Sequence, residues 1–544
     1  MTEKFQILSI EGLLSHEPEV CLLGVVQAPR QEGLSPEDLE KISSSLVIAG
    51  ESARSCYSSV LLKPEAYLRP SHQKITDAVV RSTRESGHLT TRQHVHYVFG
   101  LERVSRAVIW CLHGHPFYNS DQQSQRYVEM KAGNNLIPNL SEEALEVYND
   151  TVERQMAAYF DLVKKLTPMA EEEYFQRFPA RRKGAEAYAG EIQKKAQEVA
   201  RYVLPIATHT ELYHTVSALT LMRYVRAAKF YDVPTEMTMI VNKMVAEVVK
   251  VDPRFAEELQ DPIPLEETPE FIALRDMRGE VNFQMARGFV SEFDELLNGK
   301  NSRLVDYTAA GEATIANAAR SLLGLPRARL SDSEAIALVL DPAKNKLLGE
   351  PLNLTTMSKL SRAMELSSYT VAKRLSHTAD SQDQRHRMVP AARPILAAQY
   401  TGEPDYIKPK LIDASSEAKE VYQQIMEETF GAINCLLKSG VSWEKASYLL
   451  PNAFSIRFFE SGSLLNLHHK ARMRLCFTAQ EEIWQAAVEE AKQISKVHPL
   501  IGERLLAPCD IRKQAGTVPY CPEGTRYCGV PVWNLGKKEY HRLI

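Results

Sequence analysis

A polar run at 119–130, NSDQQSQRYVEM, has a second version at 378–389, TADSQDQRHRMV, in which Asp121, Gln123, Gln125 and Arg126 recur as Asp380, Gln382, Gln384 and Arg385. Repetition at long period constrains a fold more than local propensity does, because it sets how many cores the chain builds and how they relate. Three further pairs keep the same order. LVIAGESARSCYSS (46–59) parallels TIANAARSLLG (314–324), SRAVIW from Ser105 parallels SRAMEL from Ser361, and RYVLPIATHTELYHTVSAL (201–219) parallels SYLLPNAFSIRFFESGSLL (447–465). At 544 residues the chain is long enough for two or more cores. It reads as one domain duplicated in tandem, with repeats at 1–275 and 276–500 and a Cys-rich tail at 501–544.

Each half has the same coarse plan. A helix carrying the Ala-Arg signal is followed by a more polar stretch, in which VHYVF reads as a strand. An apolar helix, the polar run, amphipathic helices and a Leu-Pro hinge follow. EVYNDTVERQMAAYFDLVKKL (146–166) and EAKEVYQQIMEETFGAINCLLKSG (417–440) both show apolar residues at helical spacing. The join falls within 260–312, where DPIPLEETPE reads as a loop and RGEVNFQMARGFVSEFDELLNG as a connecting helix.

A formal net charge of −4 argues against a general nucleic-acid binder. No apolar run approaches the roughly 20 residues that span a bilayer, and MTEKFQILSIEG lacks the basic and apolar regions of a signal peptide, so a cytoplasmic location is expected. P-loop, GxSxG, HExxH and GxGxxG signatures are all missing.

The ordered series ARSCY, GHLTTRQH, SRAV, SDQQSQRY and ARYVLP resembles the flavin-dependent thymidylate synthases, and HHKARMRLCFTAQEEI (468–483) is similar to a later motif of that family. The resemblance implies a mixed α/β (α+β) fold binding FAD at subunit junctions. It also implies reductive methylation of dUMP with methylenetetrahydrofolate as carbon donor and NADPH as reductant. A duplicated chain would assemble as a homodimer, a pseudo-tetramer of four domains.

Carried over residue by residue, the resemblance puts Arg126, Arg201 and Arg474 on nucleotide, with Gln122 and Arg385 beside them and Ser124 near the pyrimidine as the catalytic position. His94 and His115 fall toward flavin. Aligned back from Arg126-Tyr127, the family's RHR triplet lands on Gly114-His115-Pro116. In the second half the same spacing lands on Lys373-Arg374-Leu375, leaving Arg374 as a partial flavin-binding substitute and the literal Arg385-His386-Arg387 out of register. The arginines are split between the copies: Arg201 faces Ser447, and Arg474 faces Ala228. A phosphate needs convergent guanidinium donors, so a composite site pooling both sets is expected. Each residue also has a structural alternative. Arg201 can pair with a carboxylate, His94 can be a packing residue, Ser124 can bond backbone, Asp121 and Asp380 can cap helices, and Gln480 and Glu482 can stabilise one.

The tail places Cys509, Cys521 and Cys528 among prolines and glycines. In a reducing compartment clustered cysteines suit a metal, zinc first and an iron–sulfur centre second, with buried unrelated thiols as the alternative. His498 is the preferred fourth ligand, with Cys476 and His541 as substitutes. Two other functions stay open: a different flavin- or folate-dependent modification of a pyrimidine nucleotide, and a non-catalytic nucleotide-binding scaffold.

Overall fold

The computed structural model describes residues 13, 15–28, 32–277 and 281–542. Residues 1–12, which carry the signal-peptide argument, and 278–280, which open the expected connecting helix, lie outside the described residues. Among the described residues eight strands form two antiparallel sheets: β1 (Glu19–Val25), β2 (His96–Ser105), β3 (Asn119–Gln122) and β4 (His209–Ser217), then β5 (Ser302–Tyr307), β6 (Ser368–Ser376), β7 (Ala391–Ala392) and β8 (Ser455–Ser463). Their orders, β1-β2-β4-β3 and β5-β6-β8-β7, are the same connectivity used twice. In β2, Tyr97, Phe99 and Leu101 are buried while their neighbours are less so, the period-2 pattern of a strand with one face on a core. His96–Phe99 of VHYVF open this strand, and Val95 caps the turn before it.

The helices that position the site are, in chain order, α1 (Arg106–Leu112), α2 (Glu142–Arg177), α3 (Ala189–Ala200), α4 (Ala218–Ala227), α5 (Thr235–Val251), α6 (Phe283–Leu297), α7 (His377–Asp383), α8 (Ser416–Lys438), α9 (Leu464–Arg474) and α10 (Glu481–Val497). The helix expected to connect the halves is α6, which packs Phe293 and Leu297 on Ala372 of β6 and so belongs to the second sheet.

The caps reveal how the repeats align. Ser105 ends β2 and accepts from Val108 N to start α1, and Ser376 ends β6 and accepts from Ala379 N to start α7. Nine residues beyond each cap stand Gly114 and Arg385 (105 + 9 and 376 + 9). The pairing of the two polar runs is therefore corrected. NSDQ forms edge strand β3, whose counterpart is β7, whereas TADSQD is helix α7, whose counterpart is α1. SRAMEL forms a 3-10 turn before β6, so it does not match SRAV either. Arg385-His386-Arg387 stands in register against Gly114-His115-Pro116, and the second repeat holds the full triplet.

The hinges join the copies. Pro205 bridges Pro451, and four backbone bonds run reciprocally: Ile206 N to Leu450 O (2.8 Å), Ala207 N to Tyr448 O (3.1 Å), Asn452 N to Leu204 O (2.8 Å) and Ala453 N to Tyr202 O (2.9 Å). Two buried carboxylates repeat this exchange. Glu236 of α5 accepts from Ser105 N (2.7 Å), the Ser105 hydroxyl and Tyr448 OH (3.2 Å). Glu482 of α10 accepts from Ser376 N (2.5 Å), the Ser376 hydroxyl (2.6 Å) and Tyr202 OH (2.7 Å). Each repeat thus supplies the tyrosine that completes the other's helix start. Long helices α2 and α8 pack together across the same junction, so side chains of both copies share two cores.

The described part of the tail, 501–542, packs on the second repeat. Ile501, Leu505, Ile511, Val532 and Tyr540 join the core of the second repeat. Among the described residues no group of three or more His, Cys, Asp or Glu side chains is arranged to hold a metal ion, which corrects the zinc expectation for Cys509, Cys521, Cys528 and His498. His498 is engaged elsewhere, its Nδ1 2.9 Å from Tyr369 OH and its ring against Tyr307.

Candidate anion-binding site between the repeats

A cavity of about 300 Å³ opens between the copies, lined from the first repeat by Arg106, the 122–126 segment and Arg201, and from the second by Thr378, Ser381, Gln382, Arg385, Asn452 and Arg474. Arg126, Arg201, Arg474, Gln122, Arg385 and Ser124 therefore meet in one place. Among the described residues, five guanidinium groups line this cavity and no carboxylate does.

Local structure fixes each arginine. Arg106 opens α1 and donates to Gln123 O (2.8 Å). Arg201 follows α3, its Nε on Glu198 O (3.2 Å), and Asn452 reaches across to Arg201 O (2.9 Å) and Gln125 Oε1 (3.2 Å). Arg126 is held by Glu198 (3.0 Å) and Thr478 O (2.7 Å). Arg474 ends α9 and donates to Gln382 O, and Arg385 donates to Ser120 O. Ser124 Oγ accepts from Arg126 N (3.2 Å), so its hydroxyl keeps a proton to donate.

The electrostatics are unbalanced toward positive charge. Arg106 Nε, Arg126 Nε, Arg201 Nη2 and Arg474 Nε are buried with no hydrogen-bond partner among the described residues. An unsatisfied buried donor costs about 1–3 kcal/mol, more when charged. Burial, with Arg201 adding to it, presses the Arg106 guanidinium toward its neutral form, and burial does the same to Arg474 against the pull of Asp383. Glu198 is the nearest counter-charge: burial would raise its carboxyl, yet Arg126, Lys195 and Arg201 hold it down at about 2. A ligand bearing two negative charges would satisfy the open donors together.

The cavity borders a larger one of about 760 Å³, sharing Arg126, Arg385 and Arg474 with it and adding Tyr127, His386, His469 and Arg472. Burial, then Arg474 and Lys470, keep His386 neutral, a donor or acceptor rather than a cation.

The other three expected site residues lie elsewhere. His94 is exposed at the end of a 3-10 turn. His115 is internal to the first repeat, its Nε2 2.9 Å from Tyr224 OH and its ring against Tyr118, and burial followed by Arg223 pushes it down to about 4. Arg374 is neutralised by Asp405 (3.1 Å), and the in-register Arg385 and His386 occupy the position it was expected to fill. Sequence reasoning missed Arg106 and Asn452. SRAV was matched to the wrong partner, and Asn452 signals only through standing next to the hinge proline.

The same operation that relates the repeats relates this cavity to another, of about 560 Å³, lined by Ala107, Trp110, Cys111, Ile206, Ala228, Leu396 and Ser447 among others. Those seven positions answer, in order, to Thr378, Ser381, Gln382, Asn452, Arg474, Gln125 and Arg201, taking 271 residues between the capping serines (376 − 105) and 246 between the hinge prolines (451 − 205).

Residues 39–254 and 303–500 both match the family model described as "Thymidylate synthase complementing protein". The flavin-dependent thymidylate synthase of Clostridium tetani is 28% identical over 224 residues, 41% of this chain and 84% of that protein. That of Geobacter sulfurreducens is 28% identical over 235 residues, 42% of this chain and 92% of that protein. A crystal structure of a UMP/dUMP methylase from Streptomyces cacaoi covers 45% of this chain and 95% of that chain, at 17% identity and a TM-score of 0.30. Nearly a whole relative thus matches about two fifths of this chain, and two domains fit end to end. The chain belongs to the thymidylate synthase complementing protein family and carries its domain twice in tandem.

Proposed function

We propose that the chain catalyses reductive methylation of dUMP to dTMP, with one nucleotide site per chain built by both repeats. The observation that carries this reading is the set of four buried guanidinium groups with open donors facing a cavity without carboxylates. Arg126, Arg201 and Arg474 grip the phosphate, and Arg106 adds a fourth donor. Ser124, with its hydroxyl proton free, and Gln122 face the pyrimidine and orient its carbonyls. Burial keeps water from competing with these contacts, so they hold the ring in one pose.

The adjoining 760 Å³ cavity fits FAD by its donor set: Arg385, His386, His469 and Arg472 offer hydrogen bonds to a diphosphate and an electron-rich ring. Flavin, when bound, supplies the redox chemistry of the transfer. The protein's part is to hold the two ligands against a common wall, since Arg126, Arg385 and Arg474 belong to both cavities. Methylenetetrahydrofolate is the carbon donor and NADPH the reductant in this reading, and two chains pair as a homodimer.

Two measurements test it. The purified protein should carry FAD and release tritium from dUMP labelled at C5. Absence of both, in protein that binds dUMP, would leave only the scaffold reading.

A further inference from the structure

A third cavity, of about 290 Å³, adjoins the nucleotide pocket on the far side of Arg126. One wall is the end of α2 with the turns leading into α3, and the other is the C-terminal segment around Thr525–Cys528. Neither wall has a counterpart in the second repeat. Helix α2 runs 36 residues against 23 for α8, and residues beyond 500 lie outside both matched family segments. The walls are closely fitted: Gly529, at φ +82°, sits where a Cβ would come within 2.7 Å of the Phe178 ring.

The lining has two chemical characters. Arg126, Arg177, Arg181, Lys194, Lys195 and Arg526 bring six cations, against the three carboxylates of Glu191, Glu198 and Glu523. Glu198 is already committed to Arg126. Lys194 and Arg526 are exposed and form no ion pair among the described residues, and burial pushes the Lys195 ammonium down to about 8. Between the cations stand rings: Phe178 lies edge-on to Tyr527 at 6.4 Å, and Arg526 sits over Tyr127 at 5.4 Å. Unpaired cations beside aromatic faces recognise an aromatic ligand that trails negative charge.

We propose that this cavity seats a second substrate, an aromatic ring carrying a chain of two or more anionic groups, with the chain on Lys194, Lys195 and Arg526 and the ring toward Tyr127. The inference rests on the proposed reaction in one respect: its carbon donor, with a glutamate chain, and its reductant, with phosphates, both belong to this class.

The experiment uses full-length holoenzyme and the double variant K194E/R526E, two exposed positions whose reversal leaves the core intact. Calorimetric titrations would use dUMP, the mono- and pentaglutamate forms of 5-formyltetrahydrofolate, and NADP⁺. Reversing two rim charges should weaken one charged-tail probe about tenfold or more and leave dUMP unchanged. Selective loss of the pentaglutamate assigns the cavity to a carboxylate chain, and selective loss of NADP⁺ assigns it to phosphates. Unchanged affinity for all three second-substrate probes would overturn the proposal, as would a parallel loss of dUMP affinity, which would make these cations part of the nucleotide pocket. Wild-type protein that fails to bind dUMP would sink the proposed reaction instead, while the charged-tail titrations would still judge the cavity.

Discussion

The cavities of about 300 and 560 Å³ occupy equivalent places on either side of the repeat junction, yet they share almost no chemistry. Where the first has Arg474, Arg201, Asn452 and Gln382, the second has Ala228, Ser447, Ile206 and Cys111. Trp110 fills the place of Ser381, and Leu396 that of Gln125. A symmetric assembly must build every site from one sequence, whereas a fused duplicate can keep the phosphate grip at one junction and release the other from that demand. The interiors diverge in the same sense. In the second repeat Lys470 bonds Asp383 (2.7 Å) and Glu460 (2.6 Å), and Lys373 joins both. The equivalent positions in the first repeat are Tyr224, Leu112 and His214, where His214 Nε2 meets Tyr224 OH at 3.0 Å. The charged cluster acts directly on Arg474 and His386.

The comparison can be broken at several points. Lys470→Met should cost about 3 kcal/mol, because it leaves the buried Asp383 and Glu460 sharing the single ammonium of Lys373, and Tyr224→Phe about 1 kcal/mol; urea unfolding of both reads the contrast. Asp380→Ala should cost about 3 kcal/mol by leaving Arg393 and Trp110 without their partner. Asp121→Ala, at the position the polar run pairs with it, should stay within about 0.5 kcal/mol, since its side chain is 97% exposed.

Glu236 provides a pH test. Burial raises its carboxyl from 4.5 to about 7, so the stability it contributes is fully present below 4.5 and is lost as pH rises through 7. The fall should reach about 3 kcal/mol between those limits, and Glu236→Gln should flatten it. Glu482 is raised by burial too, so the variant will not flatten the profile completely.

For binding, Arg474→Ala should weaken dUMP about 30-fold, a loss of about 2 kcal/mol. Ala228→Arg, its mirror, should gain nothing, because among the described residues that cavity is lined by the carboxylates Asp232 and Glu444 and by no arginine. Titration of wild-type protein should saturate at one dUMP per chain. A second equivalent site would sink the claim that the larger cavity has left nucleotide binding.

Much of this organisation was legible in the sequence. The tandem copies and the Leu-Pro hinges are visible because both hinges keep the same buried leucine before proline, Leu204 and Leu450. The split of Arg201 against Ser447, and of Arg474 against Ala228, pointed to a pooled site because neither half alone offers a phosphate enough donors. What stayed hidden was register. DQQSQR and DSQDQR share letters by composition, and only the serine caps after β2 and β6 show that one is an edge strand and the other a helix. That slip placed Arg374 where Arg385 belongs and concealed Arg106. The metal expectation for the tail failed differently: Cys509 lies in an apolar core, a setting that spacing in the sequence does not disclose.

The reciprocal bonding of the two hinges has a consequence for descent. Once the copies had divided the labour across a shared ladder of four main-chain bonds, neither gene half could be deleted or allowed to drift without taking the other with it. Fusion of this kind works as a ratchet, in which an ancestral subunit that once sufficed by repetition can no longer be recovered by cutting the chain in two.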